Sequence, residues 1–182
     1  DTTKYRVAEE ALKLGTHIVN DVSGLQKEPR FVDLCAKYQS GYVMMHSQGN
    51  PKTMQDDPTY EDVFRDIYQF FEKQLKACKD QDLDKVMIDP GIGFGKTLDH
   101  NLKLLANLAK FKKLGYPILV GASRKSMIGD VLNDRPVDDR VTGTVAAHYH
   151  VMMQGANIIR VQDVKEAHDS VLMYHASTGG EQ

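Results

Sequence analysis

The run Val86-Met87-Ile88-Asp89-Pro90-Gly91-Ile92-Gly93-Phe94-Gly95-Lys96 takes an apolar strand straight into a carboxylate and a loop with three glycines. A buried strand that ends in an acid needs a partner for the charge, because an unpaired carboxylate in apolar surroundings is very costly. Glycines beyond it let the backbone come close to something flat or anionic. Asp89 therefore predicts a cationic or amide-bearing ligand; the plainer reading is an aspartate that caps its own loop. Gly95-Lys96-Thr97 ends like a phosphate loop, but Gly-x-x-x-x-Gly-Lys-Thr needs glycine at position 90. Pro90 stands there and has no N–H to offer a phosphate. Gly-x-Gly-x-x-Gly fails as well, since Lys96 occupies the place of the third glycine.

Gly121-Ala122-Ser123-Arg124-Lys125-Ser126 supplies the second signal: small residues after a buried run, then two cations among hydroxyls. Lys125 can donate to a ligand carbonyl or ring nitrogen, and Ser123 can fix an anion. Such a dipeptide is more often a solvated charge pair, yet its place at a strand end favours a role for one of the two, Lys125. Arg160 falls inside the predicted strand Ile158-Ile159-Arg160-Val161, where a cation is out of place. Its fork suits a phosphate or carboxylate, or else an ion pair with Asp163 or Asp21. Asn20 offers both a donor and an acceptor, with a turn-former as an equal alternative. His46 reads as structural. His148 and His150, two apart on a helix, do not share a face and form no metal pair. Met44, Met45, Met152 and Met153 read as core.

The elements that must position these groups repeat. Gly15–Asp21, Gly41–His46, Gly115–Gly121 and Gly155–Val161 each run from a glycine through a short apolar stretch to a polar or glycine end. The glycine suits a helix C-terminal cap, and the apolar stretch a strand buried on both faces. Val86–Asp89 is a fifth strand without the glycine. Helical spacing covers Lys4–Leu14, Tyr60–Lys79, Leu98–Leu114 and Arg140–Gln154, and Asp163 opens a last helix. Alternating helices and strands predict a parallel α/β sheet in a single domain over residues 1–182. Polar groups stand at every strand end: Asn20 and Asp21, His46, Asp89, Ser123 to Lys125, Arg160 to Asp163. That is the pattern of a (β/α)₈ barrel, not of a doubly wound sheet with one switch point. A barrel takes about 250 residues, so five units predict a missing N-terminal part.

Composition bounds the function. Hydrophobic residues are 41%, charged residues 26% and the net charge is -2, which favours neither nucleic acid nor a membrane as partner. Two cysteines, Cys35 and Cys78, predict buried thiols in a reducing, cytoplasmic compartment. No apolar run reaches membrane-spanning length.

Asp89, Asn20 and a lysine together suit a flat heterocycle with a 2-amino-4-oxo edge, and Arg160 suits an anionic tail. That describes a pterin carrying a phosphate. The chain resembles the dihydropteroate synthase family from its first residue to roughly Ser177. The resemblance is carried by Asn20-Asp21-Val22-Ser23-Gly24, by Met45-His46-Ser47-Gln48-Gly49-Asn50-Pro51-Lys52-Thr53-Met54-Gln55, and by Asp89 to Lys96. Gly121 to Ser126 with Ile128-Gly129, and Gly155 to Glu166, complete it. It implies a (β/α)₈ TIM barrel, here the last five units, and a homodimer. The implied reaction joins 6-hydroxymethyl-7,8-dihydropterin diphosphate to p-aminobenzoate, with magnesium expected on the diphosphate. Residue by residue, it puts Asp1, Asn20, Asp89 and Lys125 on the pterin, with Met45 and Gly121 lining its slot. It puts Phe94, Ser123 and Lys125 near p-aminobenzoate, where sulfonamides compete, and Arg160 on the anion. Lys125, Asp89 and Arg160 are thereby expected to carry catalysis.

Two departures stand out. Gln162 replaces the family's usual histidine; it can donate to an anion but cannot become cationic. The first two strands and most of the third are absent, so residues 1–182 alone are expected to be inactive and poorly stable. The rival readings are a methyltetrahydrofolate-type methyltransferase, which has no need of Ser123-Arg124-Lys125 or Arg160, and a truncated, non-catalytic pterin-binding or dimerising barrel.

Overall fold

The structure is a computed structural model, and it describes residues 1–49 and 53–179. In chain order the elements are α1 (Tyr5–Lys13), β1 (Ile18–Asp21), α2 (Phe31–Tyr38), β2 (Gly41–Met45), α3 (Val63–Lys79), β3 (Val86–Asp89), α4 (Leu98–Ala106), a 3₁₀ segment (Leu108–Leu114), β4 (Leu119–Val120), α5 (Ser126–Val131), a 3₁₀ turn (Val137–Asp139), α6 (Val141–Met153), β5 (Ile158–Ile159) and α7 (Val164–Thr178). All strand pairs are parallel. β1, β2 and β3 form one ladder and β4 and β5 another. A bridge from Ile88 to Ile118 joins the two, with the Ile88 amide donating to the Pro117 carbonyl at 2.9 Å. The spatial order is therefore the chain order, as in part of a barrel wall.

Register decides which residues share a face. Asn20 lies opposite Val43, which lies opposite Met87. Met45 lies opposite Asp89. Since side chains alternate across a strand, Asn20, Met45 and Asp89 share one face. The same alternation carries the face through Leu119 and Gly121 to Ile158 and Arg160. The other face, with Val19, Tyr42, Met44, Val86, Ile88, Ile118 and Val120, packs on the helices in one apolar cluster. On the inner face the outermost strands leave Ile18 47% and Ile158 39% exposed; among the described residues nothing covers them. The Thr2 amide bonds the Asn20 carbonyl at 3.1 Å, which ties the first residues to β1.

The structure corrects several sequence expectations. The helix predicted over residues 98–114 breaks at Asn107, whose side-chain amide bonds the Lys103 carbonyl at 2.8 Å; that local bond competes with helix continuation. Gly15, Gly115 and Gly155 do adopt positive φ after helices, but Gly41 does not. Gln39 takes the left-handed position instead, and Gly41 is already in β2. The third and fourth apolar runs shrink to two strand residues each. Pro117 has no N–H, and the Ile118 amide is taken by the Asn157 side chain at 2.9 Å. Arg160 lies one residue past β5. Met153 is exposed, not core. Cys35 and Cys78 are free and buried as expected.

Candidate active site

The polar groups meet at the C-terminal ends of the strands. Asp89 is 2% exposed, and its Oδ1 accepts the Gly91 amide at 2.8 Å. Burial pushes its carboxyl up, against the Gly91 amide and the nearby charges of Lys125, Arg160 and Lys96. The caps-its-own-loop reading is thus half right: one oxygen is used locally, and the described residues supply no hydrogen bond to the other.

The loop from Pro90 to Thr97 wraps this acid. Phe94 N donates to Gly91 O at 3.0 Å, closing a turn. The buried Asn101 accepts the Gly93 amide at 2.8 Å and donates to the Thr97 carbonyl at 2.8 Å, tying the loop to α4. Gly91 sits at φ +68, and a Cβ there would run into the His46 carbonyl. That glycine is required by close approach of two backbones, as the sequence suggested for the loop in general.

Lys125 follows β4 and reaches across to this loop. Its Nζ donates to the Ile92 carbonyl and lies 4.4 Å from the centre of the Phe94 ring, a cation–π arrangement. Burial pulls its amine down to about 8, with Asp89 opposing and Arg160 adding to the fall. Arg124 has the role that sequence left open for the other half of the dipeptide. It adopts a left-handed φ of 51°, and its guanidinium is clamped by Asp163 and by Asp138 at 3.3 Å. Its amide bonds Thr144 Oγ1 at 3.0 Å, and its carbonyl accepts from Arg140 at 3.0 Å. His148, buried under the turn, accepts the Ala122 amide at 3.1 Å, and burial holds it neutral, at about 4. These contacts fix Arg124 so that Ser123 and Lys125 project to opposite partners.

Arg160 pairs with neither Asp163 nor Asp21. Asp163 belongs to Arg124. Asp21 is fully buried on the helix-facing side, accepting from Ser23 N, Ser23 Oγ, Leu25 N and Tyr42 OH within 2.8 Å. Arg160 instead reaches Asp1 at 3.8 Å, a loose and solvent-exposed pair. A Cβ on Gly121 would come within 3.2 Å of Arg160 Nε, so the missing side chain leaves the guanidinium its place. Ser123 Oγ donates to Gln162 Oε1 at 2.9 Å and accepts the Gln162 amide at 3.2 Å. Gln162 is therefore held by its carbonyl oxygen, and its side-chain NH₂ remains for another acceptor.

The structure thus brings Asp1, Asp89, Phe94, Gly121, Lys125 and Arg160 to one mouth. Met45 lies beside Asp89, and Asn20 two strands away on the same face. Ser123 and Gln162 form a bonded pair at the rim. Sequence reasoning missed Lys96, which is 3% exposed and contacts His46. Its signal was present: a lysine in a buried glycine loop, rejected as a phosphate ligand and left without employment. Asn50, Pro51 and Lys52, part of the second resembling segment, lie outside the described residues. A cavity of about 620 Å³ opens at the opposite, N-terminal ends of the strands, lined by Thr16, His17, Val86 and Pro117 among others; none of the predicted site residues line it. Among the described residues no group of three His, Cys, Asp or Glu side chains is placed to hold a metal, and no helix is long and apolar enough to cross a membrane.

Comparison with known proteins agrees with this geometry. The family described as "Pterin binding enzyme" matches residues 1–162. Dihydropteroate synthase of Escherichia coli K12 is 45% identical over 179 residues, covering 97% of this chain and 63% of that protein. Two structures of dihydropteroate synthase from Thermus thermophilus superpose at 42% identity. The complex with 4-aminobenzoate has a TM-score of 0.91 and the complex with 6HMPPP one of 0.92. They share 97% of this chain and 72% and 70% of theirs. The chain thus spans just under two thirds of the length of the curated relatives it matches.

Proposed function

Because this chain belongs to the family of pterin binding enzymes, we propose that residues 1–182 are the single-domain C-terminal portion of a (β/α)₈ dihydropteroate synthase. The observation that carries the reading is the convergence of Asp89, Lys125 and Arg160, from β3, the β4–α5 loop and the end of β5, on one mouth, with Phe94 under Lys125. The length ratio supports the preceding strands as part of the same protein, where they would cover Ile18 and Ile158.

In this reading the free oxygen of Asp89 and the Asn20 amide hold the 2-amino-4-oxo edge of 6-hydroxymethyl-7,8-dihydropterin diphosphate. Met45 and Gly121 line its slot, and Asp1 adds a contact. Lys125 serves the oxo group or ring nitrogen on one side and, over Phe94, the p-aminobenzoate on the other. Arg160 and the outward NH₂ of Gln162 meet the diphosphate; Asp1 would then release Arg160 to a stronger anion. The C–O bond to diphosphate breaks first, and the electron pair leaves with the diphosphate. The positive charge that develops on the pterin is spread over the ring and faced by Asp89. The p-aminobenzoate nitrogen then forms the new C–N bond and loses a proton. Preorganised charges lower such a barrier because they need no rearrangement as charge develops. Sulfonamides would compete for the Phe94 side. Magnesium is expected to arrive with the diphosphate; the described residues of this chain do not build a cation site for it, and no step here depends on it. A homodimer is expected, and Met153, Leu172 and Met173 on α6 and α7 are exposed apolar side chains available to it. A cytoplasmic setting agrees with the two reduced cysteines.

Calorimetric titration of the full-length protein tests the reading. A synthase binds pterin diphosphate and then p-aminobenzoate, and releases diphosphate only when both are present. A methyltransferase or a non-catalytic pterin-binding barrel shows no p-aminobenzoate site, and a purely dimerising scaffold binds neither.

A further inference from the structure

Resting on that reading of the site, we propose that Lys96 is a positioning residue for the second substrate: its buried amine pins the β3–α4 loop to the end of β2 and so keeps the Phe94 ring beneath Lys125. The amine donates to the Phe94 carbonyl at 2.9 Å and to the His46 carbonyl at 3.4 Å, and lies within hydrogen-bonding distance of His46 Nδ1 at 3.2 Å. In its charged form the amine has three donors and no acceptor, so these three partners would use all of them. Two belong to the residue just after β2 and one to the loop itself, which makes the contact a staple between two loops.

The loop is held from its far side by Lys125, through the Ile92 carbonyl and the Phe94 ring. Between the two lysines lie only Ile92, Gly93, Phe94 and Gly95. The fit leaves no slack: a Cβ on Gly95 would meet the Gln48 carbonyl at 2.5 Å, and Tyr60 OH donates to the Gly95 carbonyl at 2.8 Å. The near wall is fixed as well, since the His46 ring packs edge-on against Phe70 with centroids 4.9 Å apart.

A buried ammonium is an expensive way to fill space, and an apolar side chain of the same length would hold a merely structural loop at lower cost. Burial draws this amine down to about 7, against the pull of Asp89. Burial first, and then the Lys96 charge, keeps His46 neutral, at about 3, which leaves one of its two ring nitrogens without a proton and able to accept. Lys96 makes no hydrogen bond to Asp89, although the two charges act on each other, so its hydrogen-bonding geometry bears on Phe94.

The test uses the full-length enzyme with Lys96→Met, which keeps the stem and removes the donors. The expected result is a KM for p-aminobenzoate raised roughly tenfold or more, with kcat and pterin diphosphate affinity changed by a clearly smaller factor, since only the Lys96–Asp89 charge interaction reaches the pterin acid. The inhibition constant of a sulfonamide should rise with that KM. Lys96→Gln, which retains a donor in the same space, should shift the same quantity less, and it serves if the methionine variant does not fold. An unchanged p-aminobenzoate KM in a Lys96→Met variant that still binds pterin, or a shift in Lys96→Gln as large as in Lys96→Met, overturns the proposal; if the methionine variant does not fold, an unchanged KM in Lys96→Gln overturns it. So does an equal loss of both substrates in both variants, which would make Lys96 a support of the whole site. The wild-type protein decides the functional reading separately: if it binds pterin diphosphate but never p-aminobenzoate, that reading fails whatever the variants do.

Discussion

Replacing Asp89 with asparagine separates binding from stability at the centre of the site. In the proposed complex the free carboxylate oxygen and its neighbour accept two N–H groups from the pterin edge. Each hydrogen bond to a charged group contributes about 1.5–3 kcal/mol. Asparagine keeps the oxygen that bonds the Gly91 amide and turns an NH₂ donor towards a donor. Losing one charge-assisted bond and facing the pterin with an unpaired donor should cost about 2–5 kcal/mol, roughly a 30- to several-thousand-fold loss of pterin affinity. Without ligand the outcome reverses. Burial already pushes the Asp89 carboxyl up, so its ionised form is a net burden on the fold at neutral pH. The sign follows from linkage: a carboxyl with a raised folded pKa destabilises above its unfolded pKa, and that cost disappears as pH falls below it. The variant should therefore melt at the same temperature as the wild type or higher at pH 7, with no gain below the carboxylate range. Isothermal titration with pterin diphosphate and thermal melts at two pH values read both quantities. Unchanged pterin affinity, or a melting temperature several degrees lower at pH 7, refutes the assignment of Asp89 as a buried acid awaiting its ligand.

Further expectations follow from the same contacts. Lys125, drawn down to about 8, should support ligand binding below that pH and lose its charge above it; a p-aminobenzoate affinity flat from pH 7 to 9 would contradict this. Gly121→Ala should press on Arg160 Nε and weaken inhibition by inorganic diphosphate roughly ten- to hundredfold with little change in melting temperature. Gly91→Ala combines a positive φ with a collision against the His46 carbonyl and should destabilise the fold by about 2–4 kcal/mol, measurable by urea unfolding. Asp21→Ala strips the acceptor from Ser23, Leu25 and Tyr42 and should cost about 3 kcal/mol or more. If Asp21 bound substrate instead, the affinity would fall and the stability would not.

Much of the site was legible before any coordinates because it consists of exceptions. An acid closing an apolar strand, a proline in place of a phosphate-loop glycine, and a cation among isoleucines each conflict with burial, and the conflict marks the position. The alternation of helix and strand was legible for the opposite reason, since it follows from the regular spacing of apolar residues. The arginine–lysine dipeptide shows the limit. Both residues are cations after the same strand, and only the left-handed turn at Arg124, clamped by Asp163 and Asp138, sends one to structure and the other to the site. Asn20 and Asp21 differ in the same way: neighbours in sequence, they point to opposite faces of β1, one into the barrel and one into the helix layer.

Sequence alone, then, determined the parallel α/β architecture, the strand-end location of the chemistry and the acid at its centre, because burial penalties and periodicity are local properties of the chain. Tertiary structure alone decided the partners. Arg160 could have paired with either of two aspartates near it in sequence or by strand order, and the sheet's curvature gives it Asp1. Lys96 looked unused until β2 brought His46 beneath it. Hydrogen bonds and ion pairs depend on distances of a few ångströms between residues dozens of positions apart, and those distances exist only once register and packing have set them.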